Sequence, residues 1–305
     1  MKRYLLHILL FFALVAVVDV IVGFGGDYLQ AHAIGGYTGL TNDFAQKDTH
    51  DVLVLGSSRA KHHYDTHFLS DTLGVDVYNA GYEGCGVILA NGLLELVLDR
   101  YKPKLVIFDV AYSFDIIDNP NDNNNVRYIK WLKPYYKTAN VGKIIKDVSM
   151  EEWYKVHSGL IRYNSVLLNE LNDNINARKF GINGYEPSNG VLLDSVNIVI
   201  DSTEHRVDLL KLKYIERLIH LSQSKGVPIV FVKSPRFGYT DSEIINPVKE
   251  ICQRNNVPFY DYRCREELQR SYYFCDQSHL NAQGALFFSR MLVSETNIKD
   301  LINSN

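Results

Sequence analysis

Cysteine is scarce in this sequence, and no two cysteines have the Cys-x-x-Cys spacing. The four cysteines in 305 residues therefore do not indicate a zinc or thiol redox motif. The chain also lacks internal repeats and a basic stripe, and its formal net charge is −3. A nucleic-acid partner is not expected, because such proteins concentrate Lys and Arg on one surface. Among the three disulfide pairings that four cysteines allow, Cys264 with Cys275 is the first to examine.

A long apolar run follows the N-terminus. Residues 4–24 come directly after Lys2 and Arg3, and their length matches the ~20 residues that a helix needs to cross a bilayer. The two basic residues favour a cytoplasmic N-terminus, which would place the rest of the chain outside the cytoplasm, in the periplasm or at the cell surface. His7 and Asp19 interrupt the run, although Asp19 is near enough to its far end to reach the interface.

A cleaved signal peptide is the alternative interpretation of this run. Residues 31–33 have a small-x-small pattern, but they lie too far beyond the apolar core for a typical cleavage site. A buried helix of a soluble domain is the least favoured interpretation. We therefore expect a single-pass anchor over residues 1–26 and a connector over residues 27–50, with glycine pairs in both.

From residue 51 onward, short apolar runs alternate with helical patterns. The predicted elements before the first break are, in chain order, a strand at 51–56, a helix at 66–74, a strand at 75–81, a helix at 87–103 and a strand at 104–110. After residue 206 they are a helix at 207–226, a strand at 227–235, a helix at 241–256 interrupted near Pro247, a strand at 257–262 and a last helix at 281–302. This order predicts an α/β domain over residues 51–300, with a doubly wound, mainly parallel five-stranded sheet.

The pattern breaks between residues 118 and 205. The segment "DNPNDNNN" (118–125) has no core-forming residues, and "FGINGYEPSNG" (180–190) is rich in turn residues. Short helices are expected around 150–178. We interpret this region as an insertion or cap over the sheet rather than a separate folding domain. Its aromatic residues are as well suited to core packing as to stacking on sugar rings; they include Trp131, Tyr135, Tyr136 and Trp153.

Candidate site residues lie where predicted strands end, because active sites of doubly wound sheets collect there. Ser58 follows the first strand in "DVLVLGSSRAKHHYD" and is the candidate nucleophile. A serine nucleophile needs a base that a third group orients, and His279 and Asp276 in "DQSH" have a spacing that lets the carboxylate bond the imidazole. The alternative is that Ser58, or Ser57, only caps a helix and that His279 is a surface residue.

These blocks resemble the SGNH/GDSL hydrolase superfamily. The resemblance rests on a serine two residues after a glycine, the glycine-rich block "NAGYEGCG" and the C-terminal "DQSHLNAQG", and it covers roughly residues 51–115 and 227–295. It implies a flavodoxin-like three-layer sandwich. By position it also implies the following roles: Ser58 as nucleophile, Asp276 and His279 as acid and base, and the Ser58 and Gly84 amides as oxyanion-hole donors.

The third block departs from the family pattern. The family usually has an asparagine in a GxND-like motif after the third strand, whereas this chain has "DVAYSFD". The equivalent position falls near Ser113, whose hydroxyl would be a less rigid oxyanion donor. Loss of one such donor can cost ~10²–10³ in rate. Similar departures occur in membrane-anchored members that resemble cell-envelope acyltransferases and esterases.

The resemblance therefore implies serine-dependent ester hydrolysis or acyl transfer on a cell-envelope or extracellular polysaccharide. Such chemistry needs no metal or organic cofactor, and a membrane protein that supplies the acyl group is a candidate partner. Two alternatives stay open: a catalytically inactive protein that binds glycan or assists envelope assembly, and a lipid esterase. Arg59 could bind an anionic sugar or phosphate, whereas His62 and His63 are expected to face solvent.

Overall fold

The chain divides into two compact units. The helical unit combines Met1–Lys47 with Asn123–Lys179, and the sheet unit combines Asp48–Asp122 with Phe180–Asn305. The computed structural model describes residues 2–118, 125–164, 166–176, 183–193, 206–238 and 243–304. Most of "DNPNDNNN" and the start of "FGINGYEPSNG" lie outside these ranges, so their predicted loops are not compared with the structure.

The sheet unit contains a five-stranded, all-parallel sheet, which confirms the predicted α/β class. The strands are β1 (Val52–Gly56), β2 (Val77–Gly81), β3 (Leu105–Asp109), β4 (Ile229–Lys233) and β5 (Phe259–Asp261). Their order is β2-β1-β3-β4-β5, the flavodoxin-like order of doubly wound sheets. The first four strands are buried along their whole length, which is why they appear in the sequence as continuous apolar runs.

Helices account for most of the remaining described residues. The α-helices are α1 (Lys2–His32), α2 (Gly36–Asn42), α3 (Ser58–His63), α4 (Thr66–Leu73), α5 (Val87–Leu98), α6 (Tyr112–Asp115), α7 (Ala139–Val148), α8 (Met150–Lys155), α9 (Gly159–Tyr163), α10 (Leu167–Ile175), α11 (Leu209–Ser224), α12 (Asn246–Arg254), α13 (Ala282–Glu295) and α14 (Ile298–Asn303). A π-helix spans Asp43–Lys47, and 3₁₀ helices span Val126–Tyr135, Glu243–Ile245, Glu266–Leu268 and Ser271–Tyr273.

Side chains alternate along the strands and so enter two separate cores. Val54 and Ile107 belong to the core that also contains Phe288 of α13, together with residues of α3, α4 and α14. Phe108 and Phe231 have the opposite parity and are also fully buried. The helices α5, α11 and α12 contact β1, β4 and β5 respectively and pack on one another. Helices therefore cover both faces of the sheet.

Two helix predictions in the sheet unit need correction. Pro247 does not interrupt a helix but lies in the first turn of α12, where its missing N–H leaves no hydrogen bond unmade. The single predicted last helix is two helices, because Thr296 adopts an extended backbone (φ −119°, ψ 165°) after α13. The Thr296 hydroxyl donates to the Leu292 carbonyl at 2.5 Å, which closes the end of α13.

The helical unit differs in extent from the predicted anchor, connector and insertion. Helix α1 continues to His32, and α2 and the π-helix occupy much of the expected connector. Short helices do occur around 150–178, as predicted, but residues 123–179 group with residues 1–47. A boundary between the two units therefore lies inside the expected insertion, since residues 183–193 belong to the sheet unit.

Helix α1 is long and apolar enough to cross a membrane, and a signal sequence would meet the same criteria. Its last third packs on α9, where glycines permit close approach: a Cβ atom on Gly159 would come within 2.5 Å of the Gly23 Cα. The Asp19 carboxylate accepts hydrogen bonds from the Ser158 hydroxyl (2.5 Å) and the Leu160 amide (2.9 Å). The acidic residue that interrupts the apolar run therefore has partners on a neighbouring segment.

Candidate active site

The turn after β1 determines which of the two adjacent serines is presented. Gly56 has φ +145°, and a Cβ atom there would lie 2.7 Å from the Asp109 carbonyl oxygen, so the position requires glycine. Ser57 is fully buried and is the N-cap of α3, where its hydroxyl accepts a hydrogen bond from the Arg59 amide at 3.3 Å. Ser58 is the first residue of α3 and is partly exposed.

The structure brings Ser58, His279 and Asp276 together. The Ser58 Oγ lies 2.9 Å from His279 Nε2, and His279 Nδ1 lies 2.9 Å from the nearer oxygen of Asp276. A carboxylate can only accept, so Nδ1 carries the proton and Nε2 accepts from the Ser58 hydroxyl. This is the hydrogen-bond arrangement of a Ser-His-Asp triad.

A short hairpin presents the acid and the base. Phe274 and Leu280 form an antiparallel bridge, and the Cys275 amide donates to the His279 carbonyl at 3.0 Å. The candidate acid and base thus lie in the loop of a hairpin, before α13 begins. The Asn281 side chain caps α13 by accepting from the Gly284 amide at 3.0 Å, so His279 is not the cap of that helix.

Asp276 is held ionised by the same loop. Its Oδ1 accepts hydrogen bonds from the Ser278 amide (2.7 Å) and the His279 amide (2.9 Å). Burial acts to raise the pKa of Asp276, but the His279 ring and these amides outweigh it, so the pKa lies below its ordinary value. An ionised Asp276 would stabilise the positive charge that His279 acquires when it takes a proton.

His63 is buried, so the expectation that it faces solvent is wrong. Its Nε2 accepts from the Leu280 amide at 3.0 Å, and its Nδ1 donates to the Ser234 hydroxyl at 2.9 Å. Burial, reinforced by the charge of Arg59, lowers the pKa of His63 well below its ordinary 6.5 and keeps the ring neutral. The side chain therefore ties α3 to the residue that follows His279.

Arg59 also takes part in this buried network. Its Nη2 donates to the Ser234 hydroxyl (2.9 Å), to the Ser234 carbonyl and to the Pro235 carbonyl (3.2 Å). The Ser234 hydroxyl in turn donates to Asp109 at 2.7 Å. These bonds join the helix that carries Ser58 to the loop after β4. They give Arg59 a structural role besides the substrate contact suggested by its sequence position.

His62 lies beside the candidate base and is largely buried rather than solvent-facing. Its ring centre is 5.5 Å from that of His279, in an edge-to-face orientation. Its Nδ1 donates to the Glu186 carbonyl at 2.6 Å, and its Nε2 lies 3.5 Å from the Glu83 carboxylate. The ring is therefore a neighbour of the triad, and it connects the site to the loop after β2.

Gly84 lies in that loop, at the same edge of the sheet as Ser58. The last residue of β2, Gly81, pairs with Gly56 at the end of β1. Gly84 has φ +65°, a conformation that favours glycine. The adjacent Glu83 faces His62. Gly84 is not among the described residues that line the cleft at Ser58, so its proposed amide contact remains a prediction.

A cleft of about 170 Å³ opens at Ser58 and His279. Ser113, the candidate third oxyanion donor, lines this cleft with its neighbour Tyr112 and with Arg236. The structure therefore brings Ser113 to the candidate nucleophile. Arg236 and Tyr112 were not singled out from the sequence, although Arg236 follows β4 and Tyr112 follows β3, so the strand-end rule would have indicated both.

Asp115 anchors the third block to the second. Its carboxylate is fully buried and accepts hydrogen bonds from the Val87 and Ala111 amides, both at 2.6 Å. Burial raises the pKa of Asp115 from 3.8 to about 7, although the two amides act in the opposite direction. The contact connects α6, which carries Ser113, to the start of α5.

The remaining predictions concern the cysteines, a metal site and the aromatic residues of the expected insertion. Cys264 and Cys275 are not joined by a disulfide bond in the described part of the chain. No cluster of three His, Cys, Asp or Glu side chains among the described residues could hold a metal ion. Trp131 and Tyr135 line a cavity of about 300 Å³ within the helical unit. Tyr136 and Trp153 pack edge-on against the His157 ring.

No protein-family model and no curated protein matches this chain. The site combines a partly exposed serine hydroxyl, a histidine nitrogen that can accept its proton and a carboxylate that orients the histidine. This combination is chemically suited to nucleophilic attack on a carbonyl carbon.

Proposed function

We propose that this protein is a serine-dependent esterase or acyltransferase, related to the SGNH/GDSL hydrolases that its motifs resemble. The observation that carries the proposal is the 2.9 Å contact between Ser58 Oγ and His279 Nε2. Asp276 orients that histidine from its other nitrogen. A serine that only capped α3 would not need this contact, and Ser57 already provides the cap.

The proposed reaction has two steps. In the first, Ser58 Oγ attacks the acyl carbon and its proton passes to His279 Nε2, which returns it to the departing alcohol. In the second, water or a sugar hydroxyl attacks the acyl-enzyme, and the proton again passes through His279. The Ser58 and Gly84 amides, with Ser113, are the proposed donors to the oxyanion.

We propose that α1 is an uncleaved membrane anchor and that the sheet unit lies outside the cytoplasm. Two observations support this topology: Lys2 and Arg3 precede the apolar run, and the last third of α1 is built into the helical unit. Cleavage near residue 33 would remove Gly26, which packs against the Tyr163 ring. It would also remove Asp27, which accepts a hydrogen bond from the Tyr163 hydroxyl at 2.7 Å.

The proposed substrate is an ester on a cell-envelope or extracellular polysaccharide, and a membrane protein is the candidate acyl donor. This part of the proposal is supported by the resemblance and by the proposed anchor. Hydrolysis and transfer would use the same residues. A lipid ester is the alternative substrate, and a preference for long acyl chains would distinguish it from a polysaccharide acetyl ester.

The test is labelling of the full chain in detergent with a fluorophosphonate, which reacts with activated serines. We expect labelling of the wild type and of Ser57→Ala, and none of Ser58→Ala. Turnover of 4-nitrophenyl acetate should follow the same pattern. Ser57→Ala is the matched control because the two serines are adjacent and the Ser57 hydroxyl bonds only within the start of α3 among the contacts described.

Labelling that persists in Ser58→Ala would refute the assignment of the nucleophile. A folded wild type that is neither labelled nor active would contradict the enzyme proposal. A non-catalytic glycan-binding protein would then be the better hypothesis, and binding of envelope polysaccharide would be measured next.

A further inference from the structure

The formally charged side chains among the described residues that line the cleft at Ser58 are both cationic. Two arginines, Arg59 and Arg236, line it, and no Asp or Glu is among the described residues that do so. Among the described carboxylates near the site, Asp276 bonds to His279, Asp109 to Ser234 and Asp115 to two backbone amides, and Glu83 lies beside His62. A partly enclosed cleft with cationic walls attracts anionic ligands.

Arg236 is the arginine placed to meet a ligand. Arg59 directs Nη2 at the loop after β4, whereas Arg236 is partly exposed and lines the cleft. The Arg236 guanidinium donates to the Tyr112 hydroxyl at 3.1 Å, and its central carbon lies 5.6 Å from the Tyr112 ring centre. The hydrogen bond and the nearby ring hold the guanidinium beside Tyr112 at the wall of the cleft.

The backbone that carries Arg236 is also held. The Gln269 side chain donates to the Arg236 carbonyl at 2.9 Å and accepts from the Gly238 amide at 2.9 Å. The Phe237 amide donates to the Gln277 carbonyl, next to Ser278, at 3.0 Å. The backbone of Arg236 is therefore fixed relative to the hairpin that carries His279, which suits a residue that recognises a substrate.

We propose that Arg236, positioned by Tyr112, forms an anion subsite beside Ser58, and that the ester this site accepts carries a carboxylate or phosphate group. The inference rests on the proposed function for the identity of the ligand as an ester. Guanidinium groups bind both anions through paired N–H donors, so both chemistries fit the same side chain. The subsite would hold the charged group while Ser58 attacks the nearby carbonyl.

The experiment compares phenyl acetate with esters that carry an added anionic group. Each charged ester keeps either the acetyl group or the phenol leaving group of phenyl acetate. Phenyl acetate is neutral, 4-carboxyphenyl acetate is charged on the alcohol side, and monophenyl succinate is charged on the acyl side. The probe 4-acetoxyphenyl phosphate replaces the carboxylate by phosphate. For each, kcat/KM of the full chain in detergent is divided by the value for phenyl acetate, which gives a charge selectivity.

We expect Arg236→Gln to lower the charge selectivity about 10- to 100-fold for the anion that the subsite accepts. Arg236→Lys should retain part of it, because the positive charge remains without the planar pair of donors. Tyr112→Phe should cause a smaller loss, because the ring remains and only the hydroxyl is removed. Arg290→Gln, an exposed arginine of α13, is the control for a change of net charge.

Binding is measured separately from chemistry. Calorimetric titration with 4-carboxyphenyl acetate and 4-acetoxyphenyl phosphate compares Ser58→Ala with the double variant Ser58→Ala/Arg236→Gln. Binding that requires Arg236 would support the subsite, even if the wild type turns over no ester. A lack of turnover in that case would refute only the proposed function. Turnover with a charge selectivity that Arg236→Gln leaves unaltered would refute the subsite and leave the proposed function standing.

Discussion

The Nε2 atom of His63 accepts a hydrogen bond from the Leu280 amide at 3.0 Å, 217 residues further along the chain. Leu280 directly follows His279, so the bond fixes the backbone of the candidate base. His63 lies on the same short helix as Ser58. One buried ring thus connects the segments that carry the candidate nucleophile and its base.

We expect His63→Ala to lower kcat by ~10- to 100-fold and to change KM less, because a small displacement of His279 misaligns proton transfer. His63→Gln should restore part of the loss, since its side-chain oxygen can accept from the Leu280 amide. Steady-state kinetics with 4-nitrophenyl acetate measure both effects. Equal losses in the two variants, with KM changed as much as kcat, would indicate a general packing role.

Asp276→Asn should lower kcat by ~10³–10⁴-fold without disrupting the loop. The amide oxygen can still accept from the Ser278 and His279 amides, but the amide nitrogen would donate to His279 Nδ1 and favour the wrong tautomer. Ester turnover and far-UV circular dichroism of the purified variant test this. Activity within tenfold of the wild type would exclude a triad role for Asp276.

Asp115 should make the stability of the sheet unit depend on pH. Its pKa is about 7 in the folded chain and 3.8 ordinarily, so the folded state holds the proton more tightly and stability is lost as pH rises from about 4 through about 7. This pKa difference corresponds to about 4 kcal/mol. Asp115→Asn removes the titration, so the wild type should lose stability relative to the variant over that range.

Denaturant unfolding at pH 4.5 and pH 8 measures this difference. The exposed Asp300 of α14 supplies the control substitution Asp300→Asn, which makes the same change of side chain outside the buried site. A wild type that gains stability relative to Asp115→Asn as pH rises would contradict the predicted direction.

Gly26→Ala should destabilise the helical unit, because the added Cβ would lie 2.2 Å from the Tyr163 ring. Overpacking of this kind costs about 1–3 kcal/mol. Gly25→Ala is the matched control, since a Cβ there meets no atom within 4 Å and alanine is the better helix former. Thermal unfolding of the full chain in detergent should give a lower melting temperature for Gly26→Ala than for Gly25→Ala. Equal melting temperatures would argue against the packing of α1 on α9.

Much of the sheet could be predicted because its signals are local. The strands are short apolar runs closed by glycine or polar residues, and each prediction overlaps the observed strand. Local spacing also made the pairing of Asp276 with His279 predictable, because the two residues are three apart and bond within one hairpin. The split after α13 was missed because Thr296 and Asn297 do not strongly oppose a helix in sequence.

The partnership of Ser58 with His279 was proposed from their places after predicted strands and from the resemblance, because a separation of 221 residues leaves no local signal of contact. Arg236 belongs to none of the motifs recognised in the sequence. It reaches the cleft because β4 ends beside β3. The burial of His63 was unexpected because two adjacent histidines after an arginine appear polar in the sequence, while α13 packs over the end of α3.

By itself, the sequence determined the apolar anchor-length helix, the five strands and the residue types available for chemistry, since these follow from periodicity and composition. Tertiary structure alone decided which serine faces a histidine, which histidine is buried and that Arg236 lies in the cleft beside Ser58. The physical reason is that parallel strand register and core burial bring distant segments together. Those contacts are set by the whole packed unit and leave no mark on the neighbouring sequence.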